Sequence, residues 1–229
     1  MPTKFTYLLI DLGSLLVPFI FSFHPKLLFN KNWSAFFKAN IIVAVIFILW
    51  DALFTRIGVW GFNPAYVCGI YIYNLPIEEV LFFLCIPYAS LFTYHCLKLF
   101  TRKFSFSSKP VSVILIVISL LLALIFFQRL YTSVTSFALV VLLVYLTFIA
   151  KPLWLSNFYL CYLVILLPFF IVNGLLTGSW IDEPVVWYNN NENMGFRLLT
   201  IPAEDVFYGM LMLLLNTFLY ERFSKPNES

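Results

Sequence analysis

Leu75-Pro76-Ile77-Glu78-Glu79-Val80 and Ile201-Pro202-Ala203-Glu204-Asp205-Val206 share one pattern, apolar-Pro-x-Glu-acid-Val. Each opens a long apolar run, and about half the chain lies between them. A carboxylate pair at hydrocarbon depth costs on the order of several kcal/mol unless it is neutralised or paired. The same costly pair at the mouth of two apolar segments predicts an internal repeat with a task.

Composition sets the environment. The 229 residues are 62% apolar, 20% aromatic and 11% charged, with mean hydropathy +0.93. A soluble domain carries about 25% charged residues, so an integral membrane protein is expected. Only Lys4 precedes the first apolar run and no small-residue cleavage site follows it, so no cleavable leader is expected. A net charge of +3 gives no support for a nucleic-acid partner. Cys68, Cys85, Cys96 and Cys161 lack Cys-x-x-Cys spacing, and His24 and His95 lie far apart, so no metal site is expected. The chain has no Gly-x-Gly-x-x-Gly, hence no sign of a bound flavin or nicotinamide, and no cofactor is expected.

Apolar runs of about 20 residues, enough to cross about 30 Å of hydrocarbon, fall at about 5–23, 34–54, 77–99, 110–128, 131–150, 155–176 and 201–220. The expected fold is an all-α integral membrane protein with seven transmembrane helices and termini on opposite faces. One face collects Lys26, Lys31, Lys38, Lys98, Arg102, Lys103, Lys109, Lys151, Arg222 and Lys225; the N-terminal face collects Lys4, Arg56, Arg129 and Arg197. The positive-inside rule then places the N-terminus outside and the C-terminus in the cytoplasm, with a bacterial inner membrane as the expected site. The acids run the other way. Asp11, Asp51, Glu78, Glu79, Asp182, Glu183, Glu192, Glu204 and Asp205 gather at the N-terminal face, leaving Glu221 and Glu228 at the other. Acids obey no strong topology rule, so their concentration marks a site unless it is simple exclusion from one face.

Aligning the halves sets Asp51-Ala-Leu-Phe-Thr55 against Asn173-Gly-Leu-Leu-Thr177, followed by the Trp-containing loops and the acidic motifs. This predicts a first repeat over 1–100, a linker with helix 4 over 101–128 and a second repeat over 129–229. A single intervening span restores orientation, so the repeats run parallel about an axis along the membrane normal. Glu78, Glu79, Glu204, Asp205, Asp51 and Asn173 then share one depth, around one cavity, with Asp11 one to two turns into helix 1. The prolines, read at the first helical position, and the acids of the first turn also suit an ordinary helix start, a role compatible with catalysis. Asp11 reads equally as a buried pin between helices. Asn173 opposite Asp51 shows that the halves have diverged. The loops at about 56–76 and 178–200 each read as two short arms around a turn, a hairpin lid, or as interfacial anchoring by Trp and Tyr. Pro87 and Pro168 read as kinks, and His95, Cys85 and Cys161 as packing residues.

Asp11, Trp50-Asp51…Thr55…Gly58-Val59-Trp60, the first Pro-x-Glu-acid motif, Trp187-Tyr188-Asn189…Gly195-x-Arg197 and the second motif together resemble the lycopene cyclases of the heterodimer-derived type, in their fused two-domain form. The resemblance spans nearly the whole chain. It implies cyclisation of the open ψ-ends of lycopene, or a related acyclic carotenoid in the bilayer, to β-rings, giving γ-carotene and then β-carotene. It also maps the family's paired acids onto Glu78, Glu79, Glu204 and Asp205, with Asp51 and Asn173 leaving open whether the halves contribute equally.

The residue chemistry suits that reaction. A carboxylic acid protonates the terminal double bond, the neighbouring alkene attacks the tertiary cation, and a base removes a ring proton. Two adjacent carboxyls in a low dielectric cannot both ionise cheaply, which leaves one donor and one anion per motif. Trp60, Trp187 and Tyr188 can shield a carbocation by cation–π contact, up to about 2 kcal/mol each when desolvated. A hydrocarbon rod would enter sideways from membrane lipid. A retinal protein needs a Schiff-base lysine in its last helix, and 201–220 has none. A membrane prenyltransferase would need Asp-x-x-Asp clusters for magnesium; only the Asn189–Asn193 loop with Glu192 favours it. A non-enzymatic carotenoid-binding protein or small transporter would use the same pocket.

Overall fold

The structure is a computed structural model that describes residues 4–100 and 106–224. Of the charges sorted above, Arg102, Lys103, Lys225 and Glu228 lie outside the described residues. Seven α-helices are described: α1 Thr6–Phe21, α2 Trp33–Arg56, α3 Ile77–Phe100, α4 Ser108–Ile125, α5 Leu130–Val144, α6 Leu155–Leu176 and α7 Glu204–Ser224. A 3₁₀ turn, Phe29–Asn32, leads into α2, and a π-helical turn, Tyr145–Ala150, continues α5. Six short strands lie at one end of the bundle: β1 Trp60–Phe62, β2 Tyr71–Ile72, β3 Leu75–Pro76, β4 Val186–Tyr188, β5 Arg197–Leu198 and β6 Ile201–Pro202.

Five helices are long and apolar enough to cross a membrane: α2 with its leading turn, α3, α4, α5 with its trailing turn, and α6. The other two depart from the seven-span expectation for separate reasons. α1 is apolar but only 16 residues long. α7 has 21 residues and buries Glu204, Asp205, Asn216, Thr217 and Glu221, because it sits at the centre of the bundle between α2, α5 and α6. A helix surrounded by protein needs no apolar outer face. Its polar groups find protein partners: Asn216 Oδ1 accepts from Asn40 of α2 at 3.3 Å, and Glu221 accepts from Tyr94 at 2.7 Å and from Lys98 at 2.5 Å, both on α3. α3 is the other hub, with α1 packed along it and α2, α6 and α7 against it; α4 lies outside, against α5.

The loop strands correct one expectation. Neither Trp-containing arm folds back on its own loop. β1 instead pairs antiparallel with β4 of the other half, Trp60 opposite Tyr188 and Phe62 opposite Val186, so the two loops form one shared cover. The hairpins that do form are smaller: β2 with β3 and β5 with β6. A second correction concerns the prolines. Pro76 and Pro202 end the strands β3 and β6 rather than opening a helix. Pro87 and Pro168 lie inside α3 and α6 as expected, and Pro18 lies inside α1.

Candidate active site

Each acidic motif is delivered by the same local device. The chain turns at Gly69 (φ +91°) and at Gly195 (φ +77°), a left-handed conformation that glycine adopts without cost. These turns aim the preceding amides at the first acid of each motif: Cys68 N–H donates to Glu78 Oε1 at 2.7 Å, and Met194 N–H donates to Glu204 Oε1 at 2.6 Å. The hairpin then closes over Tyr73 (φ +57°) or Leu199 (φ +60°), and its tip is tied to the end of a neighbouring helix. Asn74 Nδ2 donates to Ala52 O at 2.9 Å, while the Thr200 and Thr177 hydroxyls meet at 2.7 Å. Residues that resemble each other little in sequence thus build one geometry twice.

The consequence divides each acid pair by role. Glu78 and Glu204 are buried and turned to the loop backbone, with the Thr132 hydroxyl also donating to Glu204. Glu79 and Asp205 face a cavity of about 720 Å³. There the Tyr7 phenol donates to Glu79 Oε2 at 2.5 Å, and the Tyr131 phenol donates to Asp205 Oδ1 at 2.5 Å. Tyr188 adds a second donor to Asp205, at Oδ2, 3.0 Å away. Burial, followed by the negative charge of Asp205, pushes the Tyr188 phenol well above its ordinary range, so it stays a donor.

Asp51, near the end of α2, lines the same cavity and accepts the indole N–H of Trp60. Asn173 of α6 lines it too. Asp11 is fully buried one helical turn beyond Tyr7 but does not line the cavity, and neither of its carboxyl oxygens accepts a hydrogen bond from a described residue. Trp60 and Tyr188 are on the cavity wall. Trp187 is not: strand alternation turns it outward, 45% exposed, with its ring over Gly61. The expectation that it contacts substrate is therefore withdrawn.

Aromatic rings crowd the acidic end. Trp60 lies 5.1 Å from Tyr131 and 6.2 Å from Tyr208, and Tyr131 stacks on Tyr188 at 5.9 Å. Beyond this end the walls are mostly apolar, from Ile10, Phe82, Ile86, Phe169 and Met212, with Ser14, Ser90 and Thr93 among them, and no Lys or Arg is among the lining residues. Sequence reasoning missed Tyr7, Tyr131, Tyr208 and Thr132. Tyr7 and Tyr131 hold matching places at the starts of α1 and α5, where each amide also donates to its own half's loop, Tyr7 N–H to Tyr66 O at 3.1 Å and Tyr131 N–H to Glu192 O at 2.8 Å. Extending the repeat alignment upstream of Asp51 pairs them once a two-residue gap is allowed, since Tyr7 lies 44 residues before Asp51 and Tyr131 lies 42 before Asn173. No group of three or more His, Cys, Asp or Glu side chains suited to a metal ion occurs among the described residues.

The family model described as lycopene cyclase matches residues 4–97 and 128–223, one segment in each half and most of the chain in all. No curated protein and no solved structure matches it.

Proposed function

The chain belongs to the lycopene cyclase family, and from that premise we propose that it closes β-rings on lycopene inside the bilayer, with Glu79, Asp205 and Asp51 as the reacting carboxyls. The observation that carries this reading is their convergence on one aromatic, mostly apolar cavity with no Lys or Arg in its walls. Three carboxyls in such a space cannot all carry charge. One stays neutral and donates its proton to the terminal double bond of the ψ-end. The resulting tertiary cation lies among Trp60, Tyr131 and Tyr208, whose π-faces stabilise it by cation–π contact. The neighbouring alkene attacks, the ring closes, and a carboxylate takes up one ring proton. The protons balance and no electrons are exchanged.

Hydrogen bonding distinguishes the carboxyls. Asp205 accepts from two phenols and Glu79 from one. Asp205 is thus the better furnished to hold negative charge, as the base or the counter-ion of the cation, and the proton donor falls to the first half, where Glu79 and Asp51 lie together. Glu78 and Glu204 are positioning residues that lock the hairpins under which the reacting acids sit. The helices span the membrane with the N-terminus outside, a reading supported by five helices of spanning length and by the Lys/Arg asymmetry.

Lycopene supplied to vesicles containing the protein, followed by chromatographic separation of the pigments, tests the proposal. β-ring products are expected without added cofactor. Recovery of unchanged lycopene bound to the protein would favour a carotenoid-binding role, and ε-ring products would refute the ring type.

A further inference from the structure

The cavity is a groove rather than a pit. It is lined from Tyr7 to Pro18 on α1, from Glu79 to Thr93 on α3 and from Ile165 to Leu176 on α6. At 1.5 Å per residue, the stretch from Glu79 to Thr93 alone runs about 21 Å along the bundle. Its edge is open sideways: Leu9 of α1 and Ile171 of α6 both line it, yet they are 62% and 52% exposed. Between them, α1 meets α6 only slightly. One helical turn along from Leu9, the exposed Gly13 leaves this edge of the groove clear, since a methyl group added there would meet nothing within 4 Å.

The repeat predicts a twin groove bounded by α5, α7 and α2. That space is filled. With Asp51 aligned to Asn173, Trp50 stands where α6 has Val172. Its ring lies 5.7 Å from Phe47, 5.6 Å from Phe54 and 5.7 Å from Tyr208, and Phe47 reaches Tyr208 at 5.2 Å. α2 packs along α7, whereas α6 stands off from the bundle on the groove side.

We infer that the chain has one reaction chamber with one lateral door, between α1 and α6, and that a two-ended polyene is cyclised one end per entry. This rests on the cyclase reading of the cavity. With one end at the carboxyls, the rest of the rod fills the groove and extends through the door. The second end reaches the acids only after the molecule withdraws and re-enters reversed, so the half-cyclised product is a released intermediate.

The test uses the purified full-length chain in lipid nanodiscs with lycopene as the probe. Pigment bound per chain, followed by quenching of tryptophan fluorescence, is expected to saturate at one; saturation at two overturns the single chamber. Gly13→Phe is expected to weaken pigment binding at least tenfold. Val172→Trp, which copies the plug of the second half, provides an independent block where the first variant fails to fold. Wild-type binding in a folded variant of both kinds overturns the door. In a pulse of labelled lycopene chased with excess unlabelled lycopene, label is expected to remain in the monocyclic product; labelled bicyclic product formed undiminished by the chase overturns release. If the wild-type chain binds pigment but forms no ring, the cyclase reading falls, while stoichiometry and the two groove variants still decide the chamber.

Discussion

Replacing the two acids of one motif in turn separates chemistry from positioning. Glu78→Gln keeps an amide oxygen where Glu78 Oε1 accepts the Cys68 N–H at 2.7 Å. A hydrogen bond to a charged acceptor contributes about 1.5–3 kcal/mol and a neutral one about 0.5–1.5. The variant therefore loses about 1–1.5 kcal/mol of loop stability, and its rate per folded chain stays within about twofold of wild type. Glu79→Gln keeps the acceptor for Tyr7 but has no proton to give or take at the cavity wall. Loss of a required acid or base costs about 10²–10⁴-fold, equivalent to about 2.7–5.4 kcal/mol of barrier. Both variants are compared in vesicles by chromatographic product yield over time, normalised to protein in the membrane. The reasoning is refuted if Glu79→Gln keeps more than about a tenth of the wild-type rate, or if Glu78→Gln loses as much per folded chain.

The second motif offers the parallel contrast: Asp205→Asn should abolish turnover, whereas Glu204→Gln should leave the rate per folded chain nearly intact and make the Met194 segment more open to proteolysis, read by limited digestion. Removing either phenol from Asp205, by Tyr131→Phe or Tyr188→Phe, costs a hydrogen bond to a charged group, about 1.5–3 kcal/mol; turnover should fall about tenfold or more with protein levels unchanged, and unchanged turnover in both would remove Asp205 from the chemistry. Trp187→Ala should alter the rate less than about twofold, because the ring faces outward over Gly61; a loss as large as that of Tyr188→Phe would show that the outward position is not its working one. A reporter fused after Ser229 should be active only when it is one that functions in the cytoplasm; the reverse result would invert the orientation derived from the Lys/Arg asymmetry.

Much of this arrangement was legible because the repeat is marked by residues that tolerate little variation in physical context. Two acids at the entry to one apolar helix suit an ordinary helix start, but the same pair at two such entries pointed to a shared cavity. The helix positions followed from apolar runs, and α7 was found despite its polar content because its charges are confined to its two ends. What the sequence hid was orientation within a pair. Glu78 and Glu79 are adjacent and chemically alike, and only the turn at Gly69, which sends Cys68 N–H back to Glu78, decides which of them faces the cavity. The cross-half pairing of β1 with β4 was equally hidden, since three-residue strands carry too little periodicity to name their partner. Trp187 was misplaced for the same reason: alternation along β4 turns Tyr188 inward and its neighbour out.

Duplication makes two carboxyls alike, and ring closure needs them to differ. The difference arises from what surrounds each. In the second half, Asp205 meets two phenols, and the position matching Asp51 is the uncharged Asn173, so one acid is left with ample donors. In the first half, Glu79 has one phenol, Asp51 has one indole, and Asp11 is buried behind them without a donor among the described residues. Carboxyls outnumber donors there, which is the arrangement the proposed reaction asks of its proton donor. The same divergence acts on space. Trp50 beside Asp51 fills the groove of its own face, while Val172 beside Asn173 leaves the opposite one open. The position that changed charge and its neighbour that changed volume are consecutive in the chain. On the proposed reading, this short segment of the repeat adds to the contrast between donor and base that the Asp205 phenols begin, and it leaves open the side of the bundle by which the substrate would enter.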